Sequence, residues 1–422
     1  MEHRSSNAMA PAGSESTLRI ALVLAPFAFA YAMSYLYRAV NAVAAPDLVR
    51  DLGLSASELG FLAATYPLAF AAFQLPLGSL LDRFGPRRVQ TALVCVTALG
   101  ALVFATGKDF AMLTLAQALI GLSCAGGLMG GFKAVTLWVA EERRALANAC
   151  IMATGGLGIF VATIPASYAI GEIGWRGLYL GLAALSLMAA AIIFFFVPER
   201  GERAGGMSLI DQFRSFGTIY ADPVFWRLAP IVALASGCQI AIQTLWAGPW
   251  LRDVTSFGRD AVASHLAWIA VGFLVGTLTM GAVADWLGRR GVGLLSVMLG
   301  FVLMFMACHL LLVLQWKAAA GPLWFLFGMT GQAGILAYPW LSSYYGSGLA
   351  GRANTAVNFI AFSTAFAAQY TIGAVIDLWP QTAGGGYDPE SYRYAFGLFF
   401  GLQCVALVWF LLKRPDRGRN KE

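Results

Sequence analysis

Apolar stretches of about twenty residues, the length that crosses a bilayer as a helix, follow one another along almost the whole chain. Short polar segments part them. The pattern predicts membrane-spanning helices over 20–44, 58–80, 88–107, 111–139, 145–169 and 176–197, then over 225–250, 261–286, 291–315, 320–346, 352–376 and 392–413. A membrane barrel would instead alternate polar and apolar residues in pieces of about ten. Leu182–Val197 is a nearly unbroken apolar run, so the fold class is all-α. Helices satisfy their own backbone groups where no water is present.

Composition agrees. The chain is 59% hydrophobic and 12% charged, against roughly 45–50% and about 25% in soluble domains, and its mean hydropathy is +0.69. Residues 1–18 lack the apolar core of a removable signal peptide, so the first span directs insertion. The net charge of +6 does not mark a nucleic-acid binder. Its lysines and arginines gather in the segments on the side of the N-terminus, among them Arg83, Arg143, Arg144, Arg200, Arg203 and the C-terminal tail. That bias places both termini in the cytoplasm of a multi-pass plasma membrane protein, in a bacterium the inner membrane. The six cysteines fall inside predicted spans with no CxxC pair. They read as packing residues, and no disulfide, metal site or cofactor follows.

The longest polar interval, near 198–224, divides the chain into an N-terminal six-helix bundle (1–197) and a C-terminal one (225–422). The interval reads as a cytoplasmic connector with a short surface helix near Leu209–Phe216. A motif repeats across the division. Gly78-x3-Asp82-x2-Gly85, followed by Arg87 and Arg88, lies between spans two and three; Gly281-x3-Asp285-x2-Gly288, followed by Arg289, lies between spans eight and nine. The first glycine permits close helix approach and the second a turn with positive φ. The aspartate can pair with an arginine or a helix N-terminus. Such a bond latches the two halves on the cytoplasmic side and breaks when that side opens; the bland reading is a loop whose charges only set topology.

With this duplication the chain resembles the major facilitator superfamily, and Trp175-Arg176 and Pro198-Glu199 are similar to further marks of that family. The resemblance implies twelve helices in two pseudo-symmetric bundles around a central cavity, opened alternately to either side, and a monomer. It implies a transporter rather than an enzyme. The residues agree, since three histidines and no deep acid leave too few parts for a catalytic site.

Ionisable residues inside the membrane each cost about 2.5 kcal/mol or more and are functional candidates for that reason. Arg38 lies in span one and Lys133 in span four, whereas the 22 acids fall in loops, tails or span ends. Deep charge is therefore positive. A buried cation without a carboxylate partner needs a counter-anion, and a transported anion supplies one. Tyr31, Tyr35 and Arg38 share one helix face at i, i+4 and i+7, and a guanidinium binds carboxylate or phosphate bidentately. The competing use of Arg38 is snorkelling or bonding to backbone carbonyls. Lys133 has the same alternative, reaching toward Glu141 and Glu142. His265 and His309 read as rim or packing residues.

Gln239, Gln243 and Trp246 form another i, i+4, i+7 stripe in span seven, with Gly248-Pro249 beyond them as a point of bending. Gln74, Tyr338, Asn358 and Gln369 complete the polar candidates, each also explicable as a helix–helix hydrogen bond. Glycine clusters such as Gly126-Gly127 and Gly155-Gly156 lie within lipid-length helices and read as packing sites.

Tyr37-Arg38-x2-Asn41, followed by Pro46, resembles the anion:cation symporter branch of the family, in which the span-one arginine binds the anionic substrate. The resemblance implies that role for Arg38. The chain departs from the branch at Tyr37, where a carboxylate is common, and at Gln117 and Cys124, where arginine and glutamate are typical. The expectation is a carrier of small organic anions; the alternatives are an exporter of amphipathic compounds and a transporter-like receptor.

Overall fold

The computed structural model describes residues 17–199, 216–382 and 385–412. The surface helix expected near Leu209–Phe216 falls almost wholly outside them. Ten of the described helices are long and apolar enough to cross a membrane. One of these, Ala56–Thr106, is two rods joined at Gly85 (φ 78°), and an interrupted rod begins at Ala320. The described residues thus form twelve rods.

They are α1 (Thr17–Ala39, continued by Asn41–Leu52), α2 (56–84), α3 (86–106), α4 (Phe110–Cys124 and Gly126–Trp138), α5 (Glu141–Val161 and 164–173) and α6 (175–196). After the connector come α7 (Pro223–Ala241, Ile242–Trp246 and Ala247–Thr255), α8 (Arg259–Gly288) and α9 (Leu294–Val313). The last are α10 (Ala320–Thr330, Gly331–Leu336 and 337–345), α11 (347–376) and α12 (Pro389–Leu412).

The tight turns between rods sit at Gly85, Gly174 and Gly346, all with φ of 70–78° and ψ of 159–172°. A side chain is strained at that φ. The second copy of the motif is built differently from expectation. Gly288 ends α8, and the positive φ of 84° falls at Gly291.

Besides α5, which turns at Ala162–Thr163, four rods break in the middle. α1 turns at Val40 and α4 at Ala125; α10 tightens to a 3₁₀ segment at Gly331–Leu336. α7 widens to a π segment at Ile242–Trp246, with the Ala247 amide donating to Ile242. Pro249 explains the last. It has no N–H for the Leu245 carbonyl four residues back, so the ladder shifts a turn upstream of Gly248-Pro249, where sequence places the bend.

Glycines carry the close helix crossings, as expected. The Gly158 backbone lies against the Ala32 carbonyl, Gly121 against Tyr66, and Gly155 against the rings of Tyr31 and Tyr35. Gly78 and Gly281, by contrast, stand in open space and serve no close approach in this conformation.

The halves meet tightly on the face opposite the termini, here the distal face. Gly248 of α7 admits the Ala42 carbonyl of α1, while Gly60 of α2 lies under the Gln369 carbonyl and Gly373 of α11 under that of Ala56. Phe61 adds edge contacts to Phe366 and Tyr370. At the rim, Asp47 pairs with Arg259 of α8 and with Arg50 at 2.9 Å. Asp377, at the end of α11, accepts from the Ala56 and Ser57 amides of α2 at 2.9 and 2.7 Å.

Toward the terminal face the same helices part. No described residue between Glu141 and Cys150 is fully buried, and Gly281, Ala282 and Val283 are exposed in succession. Successive helical residues point about 100° apart, so a packed helix would hide one of the three. The described hydrogen bonds between the halves reach only as far as Gln74–Asn358. The structure is closed on the distal face and open on the terminal one.

Candidate functional site

Arg38 lies in the last turn of the first segment of α1, two residues before the break at Val40. It is 9% exposed, and its Nε has no hydrogen-bond partner. Four rings surround the guanidinium: Tyr35 at 4.6 Å from its carbon, Phe70 at 5.0 Å, Phe362 at 5.1 Å and Tyr66 at 5.6 Å. No described carboxylate pairs with it. The cage draws on both halves, since Tyr35, Tyr66 and Phe70 stand on α1 and α2 and Phe362 on α11. Phe70 and Phe362 stack at 4.5 Å and 24°.

Tyr31 meets Tyr35 edge-on at 5.1 Å, and Tyr35 meets Phe273 of α8 at 5.4 Å. Beside the cage runs a polar chain. The Tyr338 hydroxyl donates to Asn358 Oδ1 (3.1 Å), and Asn358 Nδ2 donates to Gln74 Oε1 (2.8 Å). Asn358 and Phe362 are i, i+4 on α11, as are Phe70 and Gln74 on α2, so chain and cage share adjacent turns. The structure therefore gathers Tyr31, Tyr35, Arg38, Tyr338 and Asn358 where the halves meet.

Others lie elsewhere. Lys133 carries its charge to Asp82 Oδ1 at 2.7 Å, and both side chains are more than a third exposed. This corrects the expectation of a deep lysine without an acid: four methylenes let the ammonium reach the carboxylate at the end of α2. It also answers the expected latch. With the terminal face open, Asp82 is held within its own half. Arg87 Nη2 donates to the Phe194 carbonyl at 2.5 Å, likewise within the N-terminal half, and Arg88 pairs with Glu199 at the start of the connector at 2.8 Å. In the second copy Asp285 and Arg289 are exposed, and Arg290 lies over the Trp286 ring.

Gln239 donates to Gln243 and accepts from Gln332 of α10 at 3.5 Å; both residues of the pair are buried in the C-terminal half. Trp246 is fully buried and donates to the Gln369 carbonyl at 3.0 Å, under Gly60. It packs the distal seam in this conformation and lines no opening. Tyr37 turns away from Arg38 to Ser186 of α6 (3.0 Å). Asn41 accepts from Gln117 at 3.2 Å and Tyr179 at 3.1 Å, tying the break in α1 to α4 and α6. His309 bonds Gln403 at 3.0 Å among Phe305, Phe396 and Phe400, a packing role.

The family marks acquire reasons on the distal rim. The Trp175 indole donates to Asp51 at 2.9 Å, with Arg50 at 3.2 Å and Arg176 at 3.5 Å around the same carboxylate. Held first by the indole N–H and then by Arg50, the Asp51 carboxyl is drawn below its ordinary pKa.

Sequence reasoning missed Tyr66, Phe70, Phe273 and Phe362. Tyr66, Phe70 and Gln74 fall at i, i+4 and i+8, so the polar member marked the stripe. With 29 phenylalanines in the chain, rings alone do not separate a site from a lipid-facing surface.

The model of the Major Facilitator Superfamily matches residues 27–369. The transporter YybO of Bacillus subtilis (strain 168) is 24% identical over 274 residues, 60% of this chain and 62% of its own. The probable sulfoacetate transporter SauU of Cupriavidus necator is 22% identical over 64% of this chain and 66% of its own. The probable L-galactonate transporter of Escherichia coli (strain K12) is 26% identical over 63% and 61%. The matched stretch thus spans a little under two thirds of these relatives. Among solved structures, a bacterial homolog of the human lysosomal transporter Spinster, in an inward-facing and occupied conformation, aligns with a TM-score of 0.75 at 16% identity, over 94% of this chain and 97% of that one. The family model covers most of the chain, and the chain belongs to the Major Facilitator Superfamily.

Proposed function

We propose that this protein is a secondary transporter of small organic anions, working by alternating access. One observation carries the reading: Arg38 is buried between the halves at a helix break, with rings around it and no carboxylate beside it. A guanidinium so placed is stable when an anion joins it and costly when none does. Three similar proteins point the same way, carrying sulfoacetate, L-galactonate and, in a putative transporter of Agrobacterium vitis 25% identical over 67% of this chain, tartrate in their names. With the termini in the cytoplasm, as the positive bias places them, the open face is the inward one and the carrier is a monomer in the plasma membrane.

The ring-lined walls support a second reading, export of amphipathic compounds. The efflux pump hmp6 of Hypomyces subiculosus is 28% identical over 54% of this chain.

A ligand screen by thermal unfolding of the detergent-purified protein separates the two. A ligand at 100 times its dissociation constant stabilises by about 2.7 kcal/mol. Among carboxylates, sulfonates and sugar acids, at least one class should stabilise the wild type and not Arg38→Ala. Stabilisation by lipophilic cations or neutral amphiphiles alone, or an unchanged response in Arg38→Ala, sinks the anion reading.

A further inference from the structure

We infer that the Arg38 site selects a singly charged organic acid whose remainder is flat and apolar, an aryl or cycloalkyl monocarboxylate, over dianions and polyhydroxylated acids. The inference rests on the anion reading above and narrows it.

Charge comes first. The guanidinium of Arg38 offers the cage one positive charge, and Lys133 carries its own away to Asp82 at 2.7 Å near the end of α2. A second negative group on the ligand would enter a buried space without a partner, and an unpaired buried charge is among the costliest arrangements a protein can hold. The rings add to this. Their faces are the negative part of an aromatic quadrupole and attract the guanidinium. They repel an anionic group laid against them.

Shape and polarity follow. Tyr35, Tyr66, Phe70 and Phe362 lie within 4.6–5.6 Å of the guanidinium carbon, and Phe273 packs on Tyr35 from the facing half. Flat rings on several sides complement a flat apolar body. Hydroxyl groups placed there would meet carbon, and each one left without a partner loses its bond to water. Most of the neighbouring polar groups are already engaged, the Tyr31 and Tyr35 hydroxyls with each other. Tyr338 donates to Asn358, Asn358 donates to Gln74, and the Tyr66 hydroxyl is spent on the Ser34 carbonyl at 3.0 Å. The Gln74 amide keeps a donor, enough for one polar substituent.

The walls also divide between the halves. Phe362 and Phe273 come from the C-terminal half, and Tyr35, Tyr66 and Phe70 from the N-terminal. An apolar ligand with its carboxylate on Arg38 touches both halves at once, whereas a short polar acid held by Arg38 alone touches one.

Titration calorimetry on the detergent-purified full chain at neutral pH tests this with two matched pairs. Benzoate against phthalate adds one carboxylate to a constant ring. Cyclohexanecarboxylate against quinate adds hydroxyls to a constant skeleton. Benzoate and cyclohexanecarboxylate should each bind at least tenfold more tightly than their partners, the range in which an apolar pocket discriminates. Phe362→Leu should weaken benzoate at least threefold and leave quinate unchanged. The comparison within the wild type needs no variant. Phthalate or quinate binding as tightly as its partner overturns the inference and leaves the anion site standing. If neutral benzyl alcohol binds and none of the four acids does, the anion reading falls and takes the inference with it.

Discussion

Removing the Asp377 carboxylate should shift the protein toward a state open on the distal face. Asp377 belongs to the C-terminal half, yet its two oxygens accept from the Ala56 and Ser57 amides of the N-terminal half, at 2.9 and 2.7 Å. Those amides lie in the first turn of α2 and have no partner in their own helix. Within that half Ser55 and Glu58 form a capping box that serves the Glu58 and Ser55 amides. The carboxylate thus completes a helix N-terminus that its own half leaves unfinished, and the bond exists only while the distal face is closed. Charge-assisted hydrogen bonds contribute about 1.5–3 kcal/mol each when buried. Asp377 stands in water, and screening at an exposed site reduces the pair to about 1–2 kcal/mol. At 1.4 kcal/mol per tenfold, Asp377→Ala raises the distal-open population about five- to thirtyfold. Pulsed electron–electron resonance between spin labels at Lys108 and Leu378, both exposed on the distal face of opposite halves, reads that population directly once the six native cysteines are replaced. Glu58→Gln serves as the control, because it weakens the same helix start without touching the other half. An unchanged distance distribution in Asp377→Ala, or an equal change in Glu58→Gln, would refute the latch.

Two further outcomes follow from the distal rim. The Asp253 side chain is 4% exposed and accepts from Arg252 Nε (2.6 Å) and Nη2 (3.0 Å), the Tyr387 amide (3.1 Å) and the Tyr392 hydroxyl (2.7 Å). Asp253→Ala should cost about 3 kcal/mol, the low end for a broken buried pair because Arg252 reaches water; a melting temperature equal to wild type in detergent would contradict it. Asp51, drawn below the ordinary carboxylate value by Trp175 and then Arg50, stabilises the fold in its ionised form. That contribution is complete above about pH 4, the unfolded value, and is lost as pH falls through the lower folded one. Melting curves between pH 6 and 3 should therefore fall more steeply for wild type than for Asp51→Asn, and parallel curves would show the indole and guanidinium contacts to be idle.

The rods were legible because hydropathy is summed over some twenty residues and tolerates errors at any one of them. Gly85 was legible for a local reason, since positive φ selects glycine and little else. Gly288 was misjudged because the same glycine spacing can end a helix without turning it, and the turn then falls at Gly291. Lys133 was placed by depth along its helix, but a side chain with four rotatable bonds is not confined to the depth of its own Cα. The latch illustrates a different limit. A sequence fixes which groups Asp82 can pair with, whereas the conformation decides which of them it meets; here that is Lys133. The ring cage was illegible because its members come from α1, α2 and α11 and share no sequence period.

The helix breaks tie these points to function. In lipid, backbone groups freed by a break must find partners inside the protein, so α1, α4, α7 and α10 can break only where other helices surround them. Their interruptions at Val40, Ala125, Ile242–Trp246 and Gly331–Leu336 therefore mark the protein's interior, and Arg38 stands two residues from the first of them. The two halves repeat this plan with unlike chemistry. The N-terminal half brings the guanidinium, and the C-terminal half brings Phe362, Tyr338 and Asn358. A ligand whose charge is answered by one half and whose body is answered by the other lowers the free energy of whichever arrangement lets both answer together. Neither half alone gains as much from it. That dependence is what a carrier needs if its two halves are to move past each other more readily when loaded than when empty.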